Sequence, residues 1–248
     1  YFITKYKLNY KKTKWNDDIL IINPKNFKQF EKSFFEDKYI EIECLNIINK
    51  LSLPIDWNIS KVSRLWRFNL HYFSWLKKFI NTSLEHGFSK DILQKNIYLI
   101  DSWIDFNLKN YGDGWHSYTL SLRLRNWIWF FRFYPNLITD KIKEVLWIQL
   151  NWLYKNREYH LGGNHLLENL ITLILGSLQF EGSIPCLIFS ECMSELEEVL
   201  QKQILSDGGH EERSCSYHLS ILQSLLELGL VIQNSKNIRP GWLINSIK

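Results

Sequence analysis

Helical periodicity is the feature that most limits how this chain of 248 residues can fold. Apolar residues recur every three or four positions through most of the sequence, which is the spacing of the buried face of an amphipathic helix. Thr139 precedes the first of the most regular stripes and has the side chain of a helix N-cap. The three most regular stripes are Ile142, Leu146, Leu150 and Leu153; Leu167, Leu170, Ile171, Ile174 and Leu178; and Ile221, Leu225, Leu228 and Ile232.

The same spacing predicts further helices over residues 64–82, 89–109, 118–133 and 185–204. Short stretches of glycine and polar residues separate the helices, and strand-like alternation is scarce. Helices joined in pairs by short loops predict an all-α fold of antiparallel hairpins, stacked as a toroid or as a solenoid. The sequence shows no repeat of the tetratricopeptide or HEAT type, which favours the toroid.

The first part of the chain differs from the rest in composition. Residues 1–60 are rich in Lys, Asn and Ile, and their apolar residues are less periodic. We therefore predict an N-terminal arm with one or two helices over residues 1–60, and a single helical domain over residues 61–248.

Charge and composition exclude several classes of function. The net charge of +4 is small, and Lys and Arg are spread along the chain except near its start. This pattern disfavours nucleic-acid binding, although a mild positive bias suits an acidic substrate. No apolar run reaches the roughly 18 residues that span a bilayer, so we expect no membrane span. The four cysteines and seven histidines show no metal-ligand spacing, and we expect neither a metal ion nor another cofactor.

The stretch "LGGNHLLENL", residues 161–170, places an unusual group of polar side chains at the start of an apolar helix. Asn164, His165, Glu168 and Asn169 provide amide groups, an imidazole and a carboxylate on one flank of the helix. The N-terminal end of a helix favours negative charge, so this group could hold an anionic ligand. The alternative is an N-cap at Asn164, with His165 and Glu168 as local hydrogen-bonding groups.

A second polar group lies in "SDGGHEERSCSYHLSILQSLLEL", which begins at Ser206. The Asp-Gly-Gly sequence predicts a turn, and the following helix is expected to start near Ser214 or Ser216. Tyr217 would then lie in the first helical turn, close to histidine and arginine, where a phenol can give and take a proton. The alternative is that Tyr217 is a core ring with a satisfied hydroxyl.

Two aromatic segments, "RLWRFNLHYFSWL" and "DGWHSYTLSLRLRNWIWFF", combine rings with Asn and Arg. Aromatic faces next to such side chains suit stacking on sugar rings and pairing with carboxylates. Packing between helices explains many of these rings equally well.

Four segments, "LWRFNLHYFSWL", "GWHSYTLSLRLRNW", "YHLGGNHLLEN" and "DGGHEERSCSYH", occur in this order between residue 65 and about residue 228. Together they resemble the helical N-terminal half of the heparinase II/III-like polysaccharide lyases. The resemblance implies an incomplete (α/α) toroid followed by a β-sandwich domain. It also implies a bacterial enzyme of the periplasm or cell envelope that cleaves an acidic, uronate-containing polysaccharide by β-elimination.

The resemblance also implies roles for individual residues. Asn164, together with His165, would neutralise the uronate carboxylate and so acidify the C5 proton. Tyr217 would protonate the leaving O4 oxygen and, in some stereochemistries, also remove the C5 proton. Glu168 would orient Asn164 and His165. The other residues expected to contact the substrate or to support the site are Arg123, Tyr118, His71, Glu212 and His218.

The sequence also departs from the family pattern. Glu211 and Arg213 stand where aromatic or apolar residues are more usual, and Cys215 replaces a common proline. No strand-rich region follows before Lys248, so we expect the β-sandwich to be absent, together with a histidine that several members use as base. Three other readings stay open: a non-catalytic module that binds glycans, a toroid glycoside hydrolase that uses Glu168 with Glu211 or Glu212, and a helical scaffold without affinity for carbohydrate.

Overall fold

The computed structural model describes residues 13–17, 38–87, 89–108, 111–234 and 241–243. The chain divides into two compact units, of which one comprises Lys25–Leu137 and the other Tyr1–Pro24 with Ile138–Lys248. This division falls elsewhere than the boundary that we placed at residue 60. In chain order, the strands and α-helices are β1 (Lys14–Trp15), β2 (Tyr39–Cys44), β3 (Ile47–Ser52), α1 (Arg64–Tyr72), α2 (Trp75–His86), α3 (Lys90–Asn107), α4 (Ser117–Phe133), α5 (Asp140–Lys155), α6 (Gly163–Ser177), β4 (Phe180–Glu181), α7 (Ser183–Gln203) and α8 (Cys215–Asn234).

The unit Lys25–Leu137 opens with an antiparallel hairpin of β2 and β3. Ile40, Ile42 and Cys44 alternate with exposed residues along β2, so one face of β2 is buried, whereas in β3 only Leu51 is buried. Leu45 and Asn46 form the turn, and both have positive φ. The predicted helices of the N-terminal arm have no counterpart in its described residues, 13–17 and 38–60, and the rest of the arm lies outside the described residues.

In the same unit, α4 packs against α1 and α2. Ser63 caps α1, because its Oγ accepts a hydrogen bond from the backbone N–H of Trp66 at 3.2 Å. The single helix predicted over 64–82 is instead two helices, since the chain takes a left-handed conformation at Phe73, with φ of 57°. The Phe73 ring is fully buried and stacks on Trp57 at 5.5 Å between centroids, so tertiary packing stabilises the break.

In the unit formed by Tyr1–Pro24 and Ile138–Lys248, α6 is the central helix and packs against α5, α7 and α8. The predicted cap is confirmed at Thr139, whose Oγ1 accepts a hydrogen bond from the backbone N–H of Ile142 at 3.3 Å. The short strands β1 and β4 pair in an antiparallel manner, with the Trp15 and Phe180 rings in edge contact at 5.3 Å. The helices predicted over 118–133 and 185–204 are confirmed to within about two residues at each end.

Among the described residues, one segment is long and apolar enough to cross a membrane by length and composition: Cys215–Gln233 of α8, with a mean hydropathy of 1.3. One third of this segment is buried, and α8 packs on α6. Core helices of soluble proteins meet the same criterion, so the finding is weak evidence. The sequence expectation of no membrane span rests on uninterrupted apolar runs, whereas polar residues interrupt the apolar ones in this helix.

Candidate active site

The start of α6 depends on two glycines. Gly162 and Gly163 have φ of 61° and 51°, a left-handed region that residues with a side chain rarely adopt. The helix begins at Gly163, so Asn164 is its second residue and does not occupy the N-cap position. The capping alternative for Asn164 is therefore wrong. Its side chain is partly exposed and forms no hydrogen bond with the residues that the structure describes.

The carboxylate of Glu212 lies against this helix start. Its Oε1 accepts a hydrogen bond from the backbone N–H of Asn164 at 3.0 Å. A Cβ atom added to Gly163 would lie 2.6 Å from the same oxygen, so only glycine allows the carboxylate to approach this closely. The contact brings together the two polar motifs of the sequence, which are 48 residues apart.

A chain of hydrogen bonds holds the loop that carries Glu212. The Gln203 side-chain amide donates to the carbonyl of Gly163 at 3.3 Å, and its Oε1 lies 3.1 Å from Nε2 of His210. Nδ1 of His210 accepts from the backbone N–H of Glu212 at 3.3 Å. Because Nδ1 accepts and Gln203 Oε1 can only accept, Nε2 carries the proton of this buried ring.

His165 lies one residue further along α6, and one third of its side chain is exposed. Its Nδ1 is 3.2 Å from Oε1 of Glu158, a buried residue in the loop between α5 and α6. The other carboxylate oxygen of Glu158 accepts from the side-chain amide of Asn169 at 3.1 Å. Sequence reasoning missed Glu158, because a single glutamate in a loop has no spacing that distinguishes it from a solvated residue.

Glu168 occupies a different environment from the one expected. It is 1% exposed, and its Oε1 accepts a hydrogen bond from the Ser224 hydroxyl of α8 at 2.7 Å. The carboxylate hydrogen-bonded to His165 is therefore that of Glu158, and Glu168 links α6 to α8. The contact with Ser224 does not support the prediction that Glu168 orients Asn164 and His165.

Tyr217 lies in the first turn of α8, which begins at Cys215 as the sequence predicted. Its side chain is 43% exposed, so the alternative of a core ring does not hold. Ser214 precedes the helix, and its Oγ accepts from the backbone N–H of Tyr217 at 3.5 Å. His218 is partly exposed in the same turn.

His71 and Arg123 belong to the other unit and are fully buried there. The Arg123 guanidinium lies over the Trp103 ring at 3.9 Å, and Trp103 Nε1 donates to Nδ1 of His71 at 2.9 Å. Burial, helped by the positive charge of Arg123, lowers the pKa of His71 to about 3, so the ring is neutral near neutral pH. Burial also lowers the pKa of Arg123. Buried side chains do not present themselves to a polysaccharide, so their predicted contact with substrate is not supported.

Tyr118 is the more accessible member of this second group. It is partly exposed at the start of α4, and its ring packs edge-on against Tyr72 at 6.2 Å. Most other rings of the two aromatic segments are buried, including Trp66, Trp115 and Trp127. Packing, rather than sugar stacking, explains these three rings.

The comparison with known protein families decides the relationship. A family model described as Heparinase II/III N-terminus matches residues 3–239. The chain belongs to this family. Among curated proteins, none matches the chain.

Solved structures from the heparinases share the fold of this family member. "Crystal Structure of Heparinase III" is 18% identical with a TM-score of 0.62, and the match covers 99% of this chain and 42% of that chain. A heparan sulfate lyase HepC mutant from Pedobacter heparinus is 14% identical with a TM-score of 0.62, and the match covers 99% of this chain and 41% of that chain. The "Heparinase III-BT4657 gene product" is 19% identical with a TM-score of 0.57, and the match covers 78% of this chain and 35% of that chain. The chain thus spans well under half the length of these proteins, and the predicted all-α fold class is confirmed.

Among the described residues, no group of three or more His, Cys, Asp or Glu side chains could hold a metal ion. Among the polar residues at the start of α6, His165 contacts Glu158 of the preceding loop and Glu168 contacts Ser224 of α8. Asn164 can offer a side-chain amide to a ligand, His165 an imidazole, and Tyr217 of α8 a phenol.

Proposed function

We propose that this chain is the helical part of a polysaccharide lyase that cleaves a uronate-containing glycan by β-elimination. The observation that carries the proposal is the contact between Glu212 and the backbone N–H of Asn164, which joins the two predicted motifs in one unit. Membership of the Heparinase II/III N-terminus family supports the class of reaction.

Asn164 is the residue proposed to neutralise the uronate carboxylate. A C5 hydrogen beside an ionised carboxylate is weakly acidic, so donors must stabilise the negative charge that develops when the proton leaves. The Asn164 amide is partly exposed and uses none of its hydrogen-bonding capacity within the described residues. It can therefore donate to a ligand without breaking an existing contact.

Tyr217 is the residue proposed to protonate the leaving O4 oxygen. A phenol can pass a proton to an oxygen within hydrogen-bonding distance, and no metal ion is needed for that step. Tyr217 is exposed at the start of α8, so packing does not shield its side chain from a ligand. In this scheme a general base, which in some stereochemistries is Tyr217 itself, takes the C5 proton, and the electron pair of the C5–H bond forms the double bond between C4 and C5. The C4–O4 bond breaks, and Tyr217 gives a proton to O4.

The hydrolase alternative fits the geometry less well. A glycoside hydrolase needs two carboxyl groups that face the same sugar, roughly 5 Å or 6.5–9.5 Å apart. Glu168 is buried and accepts a hydrogen bond from Ser224, so it is not available at the surface as an acid or a base. No other observation favours hydrolysis.

Absorbance of the product tests the proposal. The protein that contains this chain is incubated with heparan sulfate, with alginate and with chondroitin as separate substrates, and near-ultraviolet absorbance is followed. We expect the absorbance of a 4,5-unsaturated uronate to rise with at least one of them. New saturated reducing ends without that absorbance would reject the lyase and favour the hydrolase. Glycan binding without any new chain ends would indicate a non-catalytic module.

A further inference from the structure

We infer that Glu158 is the positioning residue of this site, because its carboxylate fixes the ring orientation and the tautomer of His165. The inference rests on the proposed function only in assigning His165 a contact with substrate. Glu158 lies in the loop between α5 and α6. It directly precedes the segment "YHLGGNHLLEN", so none of the four family-like segments contains it.

The contacts of Glu158 span one face of α6. His165 and Asn169 are four residues apart, so their side chains are neighbours on the helix surface. The carboxylate bridges them, with Oε1 at 3.2 Å from His165 Nδ1 and Oε2 at 3.1 Å from Asn169 Nδ2. Glu158 itself is 3% exposed, so water competes little for these oxygens.

The orientation of the Asn169 amide follows from the backbone. The N–H of Glu158 donates to Oδ1 of Asn169 at 2.9 Å, and a backbone N–H can only donate. Oδ1 must therefore face the loop, which leaves Nδ2 to donate to the carboxylate of Glu158. Glu158 and Asn169 hold each other through two reciprocal hydrogen bonds, and the carboxylate is fixed before it meets His165.

The position of the proton on His165 follows from relative basicity. Imidazole is more basic than a carboxylate, so the proton shared between Glu158 Oε1 and His165 belongs to Nδ1. With the proton on Nδ1, Nε2 is the ring nitrogen that faces away from the Glu158 carboxylate. Glu158 therefore sets which nitrogen His165 turns towards a substrate that binds at the start of α6.

Nitrogen NMR of the histidine rings tests this inference without any turnover. The 248-residue chain is labelled with ¹⁵N-histidine, and long-range proton–nitrogen spectra are recorded above about pH 8, where a histidine ring is neutral. The His165 signals are assigned by their loss in His165→Gln. We expect the proton on Nδ1 in the wild-type protein and a shift to Nε2, the tautomer that free side chains favour, in Glu158→Ala.

His160 provides the internal control, because it is exposed in the same loop and forms no hydrogen bond with the described residues. Its signals should be the same in all variants. If Glu158→Ala does not fold, Glu158→Gln retains the side-chain shape and should weaken the Nδ1 proton signal. A wild-type His165 ring protonated on Nε2 would overturn the inference, as would an Nδ1 proton that persists in Glu158→Ala.

Turnover separates this inference from the proposed function. If the tautomer is as expected but no unsaturated product forms, the lyase proposal fails while the pairing of Glu158 with His165 stands. If product forms, Glu158→Ala should lower kcat/KM on the order of 10²-fold, as misplacement of a site residue does. Product formation with unchanged kcat/KM in Glu158→Ala would remove the positioning role alone.

Discussion

The carboxylate of Glu212 accepts a hydrogen bond from the backbone N–H of Asn164, with 3.0 Å between Oε1 and N. The first N–H groups of a helix have no partner within the helix and carry a partial positive charge. The sequence predicted that the start of α6 would attract an anion, and the structure places a carboxylate of the chain itself there. Glu212 thereby ties the loop before α8 to the residue proposed to bind substrate.

The first prediction compares alanine at the two glycines of this helix start. Both glycines have positive φ, so Gly162→Ala and Gly163→Ala each introduce backbone strain, which differs between them because Gly162 has a ψ of −144°, outside the left-handed helical region. At Gly163 the new Cβ would also displace the Glu212 carboxylate, whereas at Gly162 nothing lies within 4 Å. The cost of Gly163→Ala in free energy of unfolding, measured by urea titration, should therefore be about 1 kcal/mol smaller in the Glu212→Ala background than in the wild-type protein.

The control for that prediction is the Glu212→Ala background. Backbone strain is the same in both backgrounds, so it cancels in this comparison, and the cost of Gly162→Ala should not change between them. An unchanged cost of Gly163→Ala in the Glu212→Ala background would show that Glu212 does not stabilise the start of α6 in solution.

The second prediction concerns Asn164→Ala. The backbone hydrogen bond to Glu212 stays, and the side chain forms no hydrogen bond with described residues, so the free energy of unfolding should change by less than about 1 kcal/mol. Turnover should fall on the order of 10²–10³-fold, as when one donor to a developing negative charge is removed. Asn49→Ala, at another partly exposed asparagine, is the matched control. Unfolding of Asn164→Ala would instead assign a structural role to this residue.

Much of the helical fold could be predicted from periodicity, because an apolar stripe such as that of α6 marks the buried face directly. The break at Phe73 could not, since a left-handed residue there is stabilised by stacking on Trp57, a contact between residues distant in the sequence. The hairpin of β2 and β3 had a visible signal. "YIEIEC" alternates apolar and charged residues, as a half-buried strand does, but this short pattern lies within a Lys-, Asn- and Ile-rich segment that obscures it.

The third prediction is that Tyr217→Phe removes turnover and leaves glycan affinity nearly unchanged. The hydroxyl is proposed to transfer a proton, and loss of such a group costs typically 10²–10⁴-fold in rate. Tyr217 is 43% exposed and Phe keeps its ring, so loss of the hydroxyl should not affect folding. Tyr111→Phe, at a tyrosine that is 73% exposed, serves as control in the same assay. Retained turnover in Tyr217→Phe would assign proton transfer to another group.

The fourth prediction concerns acid sensitivity through His71. Its pKa is lowered from 6.5 to about 3 in the folded protein, so the unfolded chain takes up a proton first as the pH falls. The contribution of the neutral His71 ring to the free energy of unfolding is present above about pH 6.5 and is lost as the pH falls towards 3. Between about pH 7 and pH 5 the loss amounts to roughly 2 kcal/mol.

Thermal and urea unfolding across this pH range measure the effect of His71. In His71→Gln the slope of stability against pH should flatten, whereas His86→Gln, at an exposed histidine, should retain the wild-type slope. Parallel curves for the wild-type protein and His71→Gln would mean that His71 is not held neutral by the fold.

The candidate site was predictable only in part, and the residues show why. Asn164, Glu212 and Tyr217 could be identified from the sequence, because they belong to groups of polar side chains at the starts of apolar helices. Glu158 could not be found in this way, because a single glutamate in a loop has no distinguishing spacing, and Ser224 could not, because it contacts Glu168 across the fold. Conversely, Arg123 and His71 look like binding residues in the sequence, yet the fold buries them against Trp103.

The mass of the products is the most direct measurement of the proposed reaction. A uronate oligosaccharide of defined length is cleaved by the protein that contains this chain, and both products are weighed by mass spectrometry. β-Elimination breaks the C4–O4 bond without adding water, so the two product masses should sum to the mass of the substrate. A sum greater by one water molecule would show hydrolysis and contradict the lyase.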